Sequence, residues 1–178
     1  MHAGLVGVIP AILEQYRLPL FGTHGVTHWA RVYENGMRLA AFNEADFRVV
    51  GYFAIFHDAC RENEDVDPGH GRRGADLAQH LRTKVALDEA AFQLLLEACR
   101  LHTDGLIDGD ITLQTCWDSD RLDLPRVGIP VKPSRLCTLA ARQPGVISWA
   151  DERARMQVEP SIVREAWDIE RATPKNHD

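Results

Sequence analysis

Val49-Val50-Gly51-Tyr52-Phe53-Ala54-Ile55-Phe56-His57-Asp58 decides how this chain is read. Eight residues of the run carry no charge and read as the wall of a core, yet it ends on an imidazole beside a carboxylate. Leaving either group unpaired there would cost several kcal/mol. A divalent cation can satisfy both together. His28 upstream, and His70, His102 and Asp120 downstream, are the matching ligands.

Around this run the spacing of apolar residues is helical, with no series of alternating strands and hairpin turns. A first helix is expected over Leu5 to Tyr16 and a second from Val26 to about Phe42. Asn43 is read as the cap of a third helix, with Glu44 and Asp46 in its first turn and His57-Asp58 at its end. Cys60 to Gly69 is polar and acidic and reads as a loop. Asp67-Pro68 resembles a cap followed by proline at the first helical position, leading a helix that carries His70 in its first turn and reaches about Leu81. Asp88 is expected to cap a helix whose face runs Phe92, Leu95-Leu96, Cys99 and His102. A further helix spans Ile111 to Leu124 and carries Asp120. Trp149 to Val158 and Pro160 to Ala172 read as a closing helical pair.

The 178 residues suit one all-α domain, a helical bundle spanning 1–178 without repeats or linkers. Apolar residues make up 45% and charged residues 26%, as in soluble globular proteins. A net charge of −6 without a basic stripe argues against a nucleic-acid partner, but leaves room for a small anionic substrate at a locally positive site. No stretch is long enough to cross a bilayer, and the N-terminus lacks a signal-peptide pattern, so a cytoplasmic location is expected. Cys60, Cys99, Cys116 and Cys137 are widely spaced and read as free thiols, not as a thiolate zinc site.

Helices packed as a bundle can aim side chains from distant positions at one interior point. Imidazoles and carboxylates without thiolates suit Mn, Fe, Co, Ni or Zn. Taken singly, each histidine reads as an ordinary hydrogen-bonded core residue; taken together they read as a metal site. His2, His80 and His177 read as non-ligands, and His24 as a residue that lines the pocket or caps the helix after it.

These residues resemble the HD-domain superfamily of metal-dependent phosphohydrolases. His28 in His24-Gly25-Val26-Thr27-His28-Trp29-Ala30-Arg31-Val32 is similar to the family's first histidine, His57-Asp58 to its eponymous pair, and Asp120 in Ser119-Asp120-Arg121-Leu122-Asp123 to its late aspartate. The resemblance spans Phe21 to Val127, about 21–127, with a C-terminal helical extension at about 149–173 outside it. Asp120 is preferred over Asp118 because Arg-Leu follows it; Gly25 departs from relatives that carry His-Asp before this helix. His70 and His102 are similar to two further histidines of relatives that hold two metals, which implies one or two ions.

The resemblance implies hydrolysis of a small phosphate ester or nucleotide. A cation with an open coordination position lowers the pKa of bound water toward neutrality. Arg31, Arg61, Arg72, Arg73 and Arg121, with His24, are the candidates for holding the anionic group, Arg31 and Arg61 at the reacting phosphate itself. Glu62 or Asp65 is expected to act as general base. Two alternatives remain open: a di-iron oxygenase of the same fold, and a binding or sensor module with a structural metal.

Overall fold

A computed structural model describes residues 3–170. His2, His177 and the end of the expected Pro160–Ala172 helix lie outside them. The described residues are helical, with no strand among them: α1 (Ala3–Val6), α2 (Ile9–Leu13), α3 (Val26–Ala40), α4 (Phe47–Phe56), α5 (His70–His80), α6 (Glu89–Leu101), α7 (Ile111–Arg121), α8 (Pro144–Arg155) and α9 (Ile162–Glu165).

The apolar run forms α4, and every residue from Val49 to Phe56 is buried. A helix apolar on all sides must be surrounded, and α4 packs against α3, α5, α6 and α7. Burying Phe53 and Phe56 favours this arrangement by about 1.5–3 kcal/mol each. The one polar tip in the run, Tyr52 Oη, accepts the Ala86 N–H at 3.0 Å. Where α5 crosses α4 and α6, Gly74 and Gly71 let the backbones touch: a methyl group at either would overlap a carbonyl, that of Phe56 or of Cys99. A second cluster, Leu39, Leu122, Leu136, Ala141, Val146 and Ala150, packs α8 against the ends of α3 and α7.

Several boundaries differ from the sequence expectation. The first helix is broken into α1 and α2 by a turn at Gly7-Val8. Asp46, not Asn43, caps α4, accepting the Arg48 N–H at 2.9 Å, while Asn43 Oδ1 takes the Ala45 N–H within the preceding turn. Gly69, at φ +85°, opens α5, a conformation that favours glycine. Asp67 therefore does not cap α5; its carboxylate takes the Glu62 N–H and the Arg73 guanidinium. Asp88 caps α6 as expected, through the Ala91 N–H. The closing pair is displaced: α8 begins at Pro144 and α9 is one short turn. The four cysteines are free thiols, and no helix among the described residues is long and apolar enough to cross a membrane.

Candidate metal centre

Each candidate ligand arrives from a different part of the bundle. His28 lies in α3 and His57 caps the C-terminal end of α4, with Asp58 following it. His70 is the first residue of α5, His102 caps the end of α6, and Asp120 is in the last turn of α7. The four imidazoles and Asp58 are buried, and Asp120 is half-buried.

The donor atoms form two groups that could hold a metal, His28–His57–Asp120 and Asp58–His70–His102. In the first, His28 Nε2 lies 3.1 Å from His57 Nε2 and 3.5 Å from Asp120 Oδ1. In the second, His70 Nε2 lies 2.9 Å from His102 Nε2. Asp58 joins them. Its Oδ2 is 3.4 Å from His28 Nε2 and 3.7 Å from His57 Nε2, whereas its Oδ1 is 3.1 Å from His70 Nε2 and 3.8 Å from His102 Nε2. Atoms bonded to one ion at about 2.1 Å stand about 3–3.5 Å apart, so both groups have the spacing of a coordination shell. Asp58 Oδ1 is buried and accepts no hydrogen bond. An orphaned carboxylate oxygen between two imidazoles fits a cation ligand.

The opposite edge of every imidazole is already committed. His28 Nδ1 lies 2.7 Å from Asp123 Oδ2. His57 Nδ1 faces the Phe53 and Ala54 carbonyls at 3.1 and 3.2 Å, His70 Nδ1 the Asp67 carbonyl at 2.6 Å, and His102 Nδ1 the Cys99 carbonyl at 2.7 Å. With its proton held on Nδ1, each ring turns the Nε2 lone pair inward, the tautomer a metal ligand needs. Burial pushes the pKa of His57 down to about 3, against the pull of Asp58 and Asp120, so this ring is neutral at pH 7. Burial would raise the carboxyl of Asp58, but the surrounding imidazoles outweigh it and hold the group well below the ordinary value. His70 moves the other way: burial lowers it, yet Asp58 and the Asp67 carbonyl raise it overall.

The cluster opens into a cavity of about 350 Å³ lined by His24, Arg61, Thr103, Arg121, Leu124 and Arg126 among others. Arg61 is anchored on the Asn63 and Asp65 carbonyls, with Nη1 3.7 Å from Asp58 Oδ1. Arg121 donates to the Leu106 and Arg135 carbonyls. His24 Nδ1 lies 2.5 Å from Glu64 Oε2.

Other expected residues are placed elsewhere. Arg31 does not face the cavity; its guanidinium is taken up by Asp123 and the Val158 carbonyl. Arg72 points to solvent beside Asp76, and Arg73 is held by Asp67. The general-base assignment to Glu62 or Asp65 is not met either, because both side chains are exposed outside the cavity. Asp118 accepts the Cys137 and Thr138 N–H groups and the Thr138 hydroxyl, which leaves Asp120 as the α7 carboxylate in the cluster. His80 is exposed at the end of α5.

Glu64 and Arg126 are not marked as site residues by the sequence, and Asp123 is offered there only as one of three candidate late aspartates, behind Asp120. Asp123 follows Asp120 by three residues, the spacing that returns to one helix face, and this was the available signal.

No family model and no curated protein matches the chain. Among solved structures the chain is similar to a protein described as a predicted HD superfamily hydrolase from an uncultured Thermotogales bacterium. The two are 24% identical, with 83% of each chain covered and a TM-score of 0.62. With α4 carrying His57-Asp58 to the centre of the bundle, the chain has the fold of the HD-domain superfamily.

Proposed function

We propose that this protein is a metal-dependent phosphohydrolase acting on a small phosphate ester or nucleotide. The observation that carries the reading is Asp58, whose two oxygens face two histidine pairs at the floor of a cavity that also presents Arg61, Arg121 and Arg126. When bound, divalent ions supply Lewis acidity toward water and toward a phosphoryl oxygen.

The chain's own residues do the rest. Arg61 and Arg126 hold the anionic group and meet charge developing on its oxygens. His24 moves a proton. Glu64 accepts the Nδ1–H, which leaves Nε2 free to take a proton from water or a hydroxyl. Burial lowers the pKa of His24, although Asp58 and Glu64 pull it upward, and a neutral imidazole at pH 7 is the form a general base requires. Leu124 and Val127 give one wall of the cavity an apolar lining.

The test is metal analysis of the purified protein together with phosphate release from a panel of phosphorylated metabolites supplied with Mn(II), Co(II) or Ni(II). Phosphate release that disappears in Asp58→Ala, and falls about 10²–10⁴-fold in His24→Gln, supports the reading. Iron with oxygen uptake and no phosphate release replaces it with the oxygenase chemistry the same ligands can host. Neither activity, with metal retained, makes the centre structural.

A further inference from the structure

Arg126 lines two cavities. One faces the metal cluster; the other, of about 200 Å³, is lined by Thr23, Thr27, Arg31, Arg126 and Gln157 among others, and no candidate metal ligand reaches it. It is smaller than the range of about 300–1,000 Å³ usual for organic ligands. A single oxyanion fits there with a few waters, each of which takes about 30 Å³. The cavity sits where α3 begins. Gly25 holds the N-cap position and gives α3 no side-chain cap. A side chain on Gly25 would overlap the Leu20 carbonyl, so no residue with a capping group fits. The Thr27 and His28 N–H groups accordingly meet no acceptor among the described residues. Uncapped first-turn donors favour an anion.

A helix start alone can be met by water, but here buried side chains add to it. Thr27 is 7% exposed and lines the cavity, and its hydroxyl has no hydrogen-bond partner among the described residues. Arg31 lies one helical turn further on. Its Nε and Nη2 go to Asp123 and its Nη1 to the Val158 carbonyl, which leaves one N–H on each Nη. Arg126 gives Nε to the Thr23 carbonyl at 3.1 Å and Nη1 to the Asp123 carbonyl at 3.2 Å, while Nη2 donates to nothing among the described residues. The carboxylates do not balance these charges. Asp123 already serves Arg31 and His28 at 2.7 Å each. Arg126 reaches it only at 3.8 Å, and Asp120, which belongs to the metal cluster, at 4.0 Å. Two guanidinium side chains, 4% and 6% exposed, thus share one carboxylate. A second anion is called for.

We propose that this cavity is a binding site for a free inorganic oxyanion of the size and charge of phosphate. The Thr27 hydroxyl, the spare N–H groups of Arg31 and Nη2 of Arg126 are its donors, with the uncapped start of α3 beside them. Gln157, in the left-handed backbone region at φ +49°, adds a side-chain amide to the lining. The site needs neither the metal nor hydrolysis. Both guanidiniums rest against Asp123, so an ion held here bears on the carboxylate that orients His28 from outside the reaction cavity, as an effector and not as a reactant.

The test titrates inorganic phosphate into the purified full-length chain by calorimetry at low ionic strength, as purified and after chelation. Saturable binding of one phosphate is expected to survive chelation. Thr27→Val, which keeps the shape and removes the hydroxyl, weakens it about tenfold. Gln157→Glu changes an exposed residue, brings a carboxylate to the two guanidiniums and abolishes binding. Phenyl phosphate, the same group carried on a ring too large for the cavity, does not displace the free ion. Binding that vanishes on chelation, or that a folded variant of either kind leaves unchanged, puts the phosphate on the metal centre or elsewhere and overturns the proposal. Phenyl phosphate binding as tightly as the free ion also overturns it, and assigns the cavity to a phosphorylated molecule.

Discussion

Asp123 clamps two side chains of α3 at once: its Oδ2 lies 2.7 Å from His28 Nδ1 while its Oδ1 takes Arg31 Nε at 2.7 Å. All three residues are buried. Burial alone would raise the Asp123 carboxyl, but His28 and Arg31 outweigh it and keep the group ionised. Removing a carboxylate that orients a ligand typically weakens metal binding about 10–100-fold. Asp123→Ala is therefore expected to lower affinity at the His28 position by that amount, read by metal titration. It also strands Arg31, costing about 3–5 kcal/mol in urea unfolding. Adding Arg31→Met restores stability without restoring affinity.

The two donor groups differ in their competition with protons. A ligand imidazole must lose its proton first. His57 is depressed to about 3 and gives up nothing on ligation at neutral pH, whereas His70 is raised above 6.5. As pH falls through the raised value of His70, a proton displaces the ion from the Asp58–His70–His102 group while the His28–His57–Asp120 group keeps its own. Metal content measured across pH 8 to 5 should fall in one step, with the ion at His28, His57 and Asp120 retained. One step involving both ions would refute the difference.

A single methyl group separates packing from coordination. At Gly71 it would overlap the Cys99 carbonyl and press on the His102 ring. Gly71→Ala should cost about 1–3 kcal/mol, as overpacked contacts do, and weaken the ion at His70 and His102 more than the other. Unchanged affinity for both would show that α5 and α6 have slack at this crossing.

The loop before α5 hangs on Asp67. Its carboxylate takes the Glu62 N–H at 2.7 Å and Arg73 at 2.6 and 2.7 Å, and its carbonyl fixes His70. Asp67→Ala should destabilise the fold by about 1.5–3 kcal/mol at pH 7. Burial raises this carboxyl, but Arg73 and the Glu62 N–H lower it overall from 3.8. A depressed acid contributes stability above its unfolded value and loses it as pH falls through the folded one. The gap between wild type and Asp67→Ala in urea midpoint should therefore close below pH 3.8.

His57-Asp58 could be read from sequence because it contradicts its surroundings: polar groups ending an apolar run have few physical explanations. Asp120 was harder to single out, since Asp118, Asp120 and Asp123 lie within six residues and only packing decides which way each one turns. In the fold Asp118 is consumed by the backbone at Cys137 and Thr138, Asp123 by α3, and Asp120 is left facing the cluster. Helix caps were ambiguous for a related reason. Asn43 and Asp46 both carry capping side chains, as Asp67 does, and the choice rests on contacts 66 and 72 residues away, Asp46 N–H to Thr112 Oγ1 and Asn43 Nδ2 to Thr115 Oγ1. The arginines were legible as cations but not as partners. Which carboxylate or carbonyl each one meets is a property of the folded chain.

The inward-facing rings come from helices that meet chiefly through apolar packing, with a few polar ties such as Asn35 to the Ser119 carbonyl. An ion in either group would act as a rivet through three parts of the bundle, and the two together through all five of α3 to α7. Chelation should then soften the whole scaffold, not just silence its chemistry, and a melting temperature would register metal loss as plainly as an assay. By mass action, an ion present at a hundred times its dissociation constant adds about 2.7 kcal/mol to the stability of whatever it fastens.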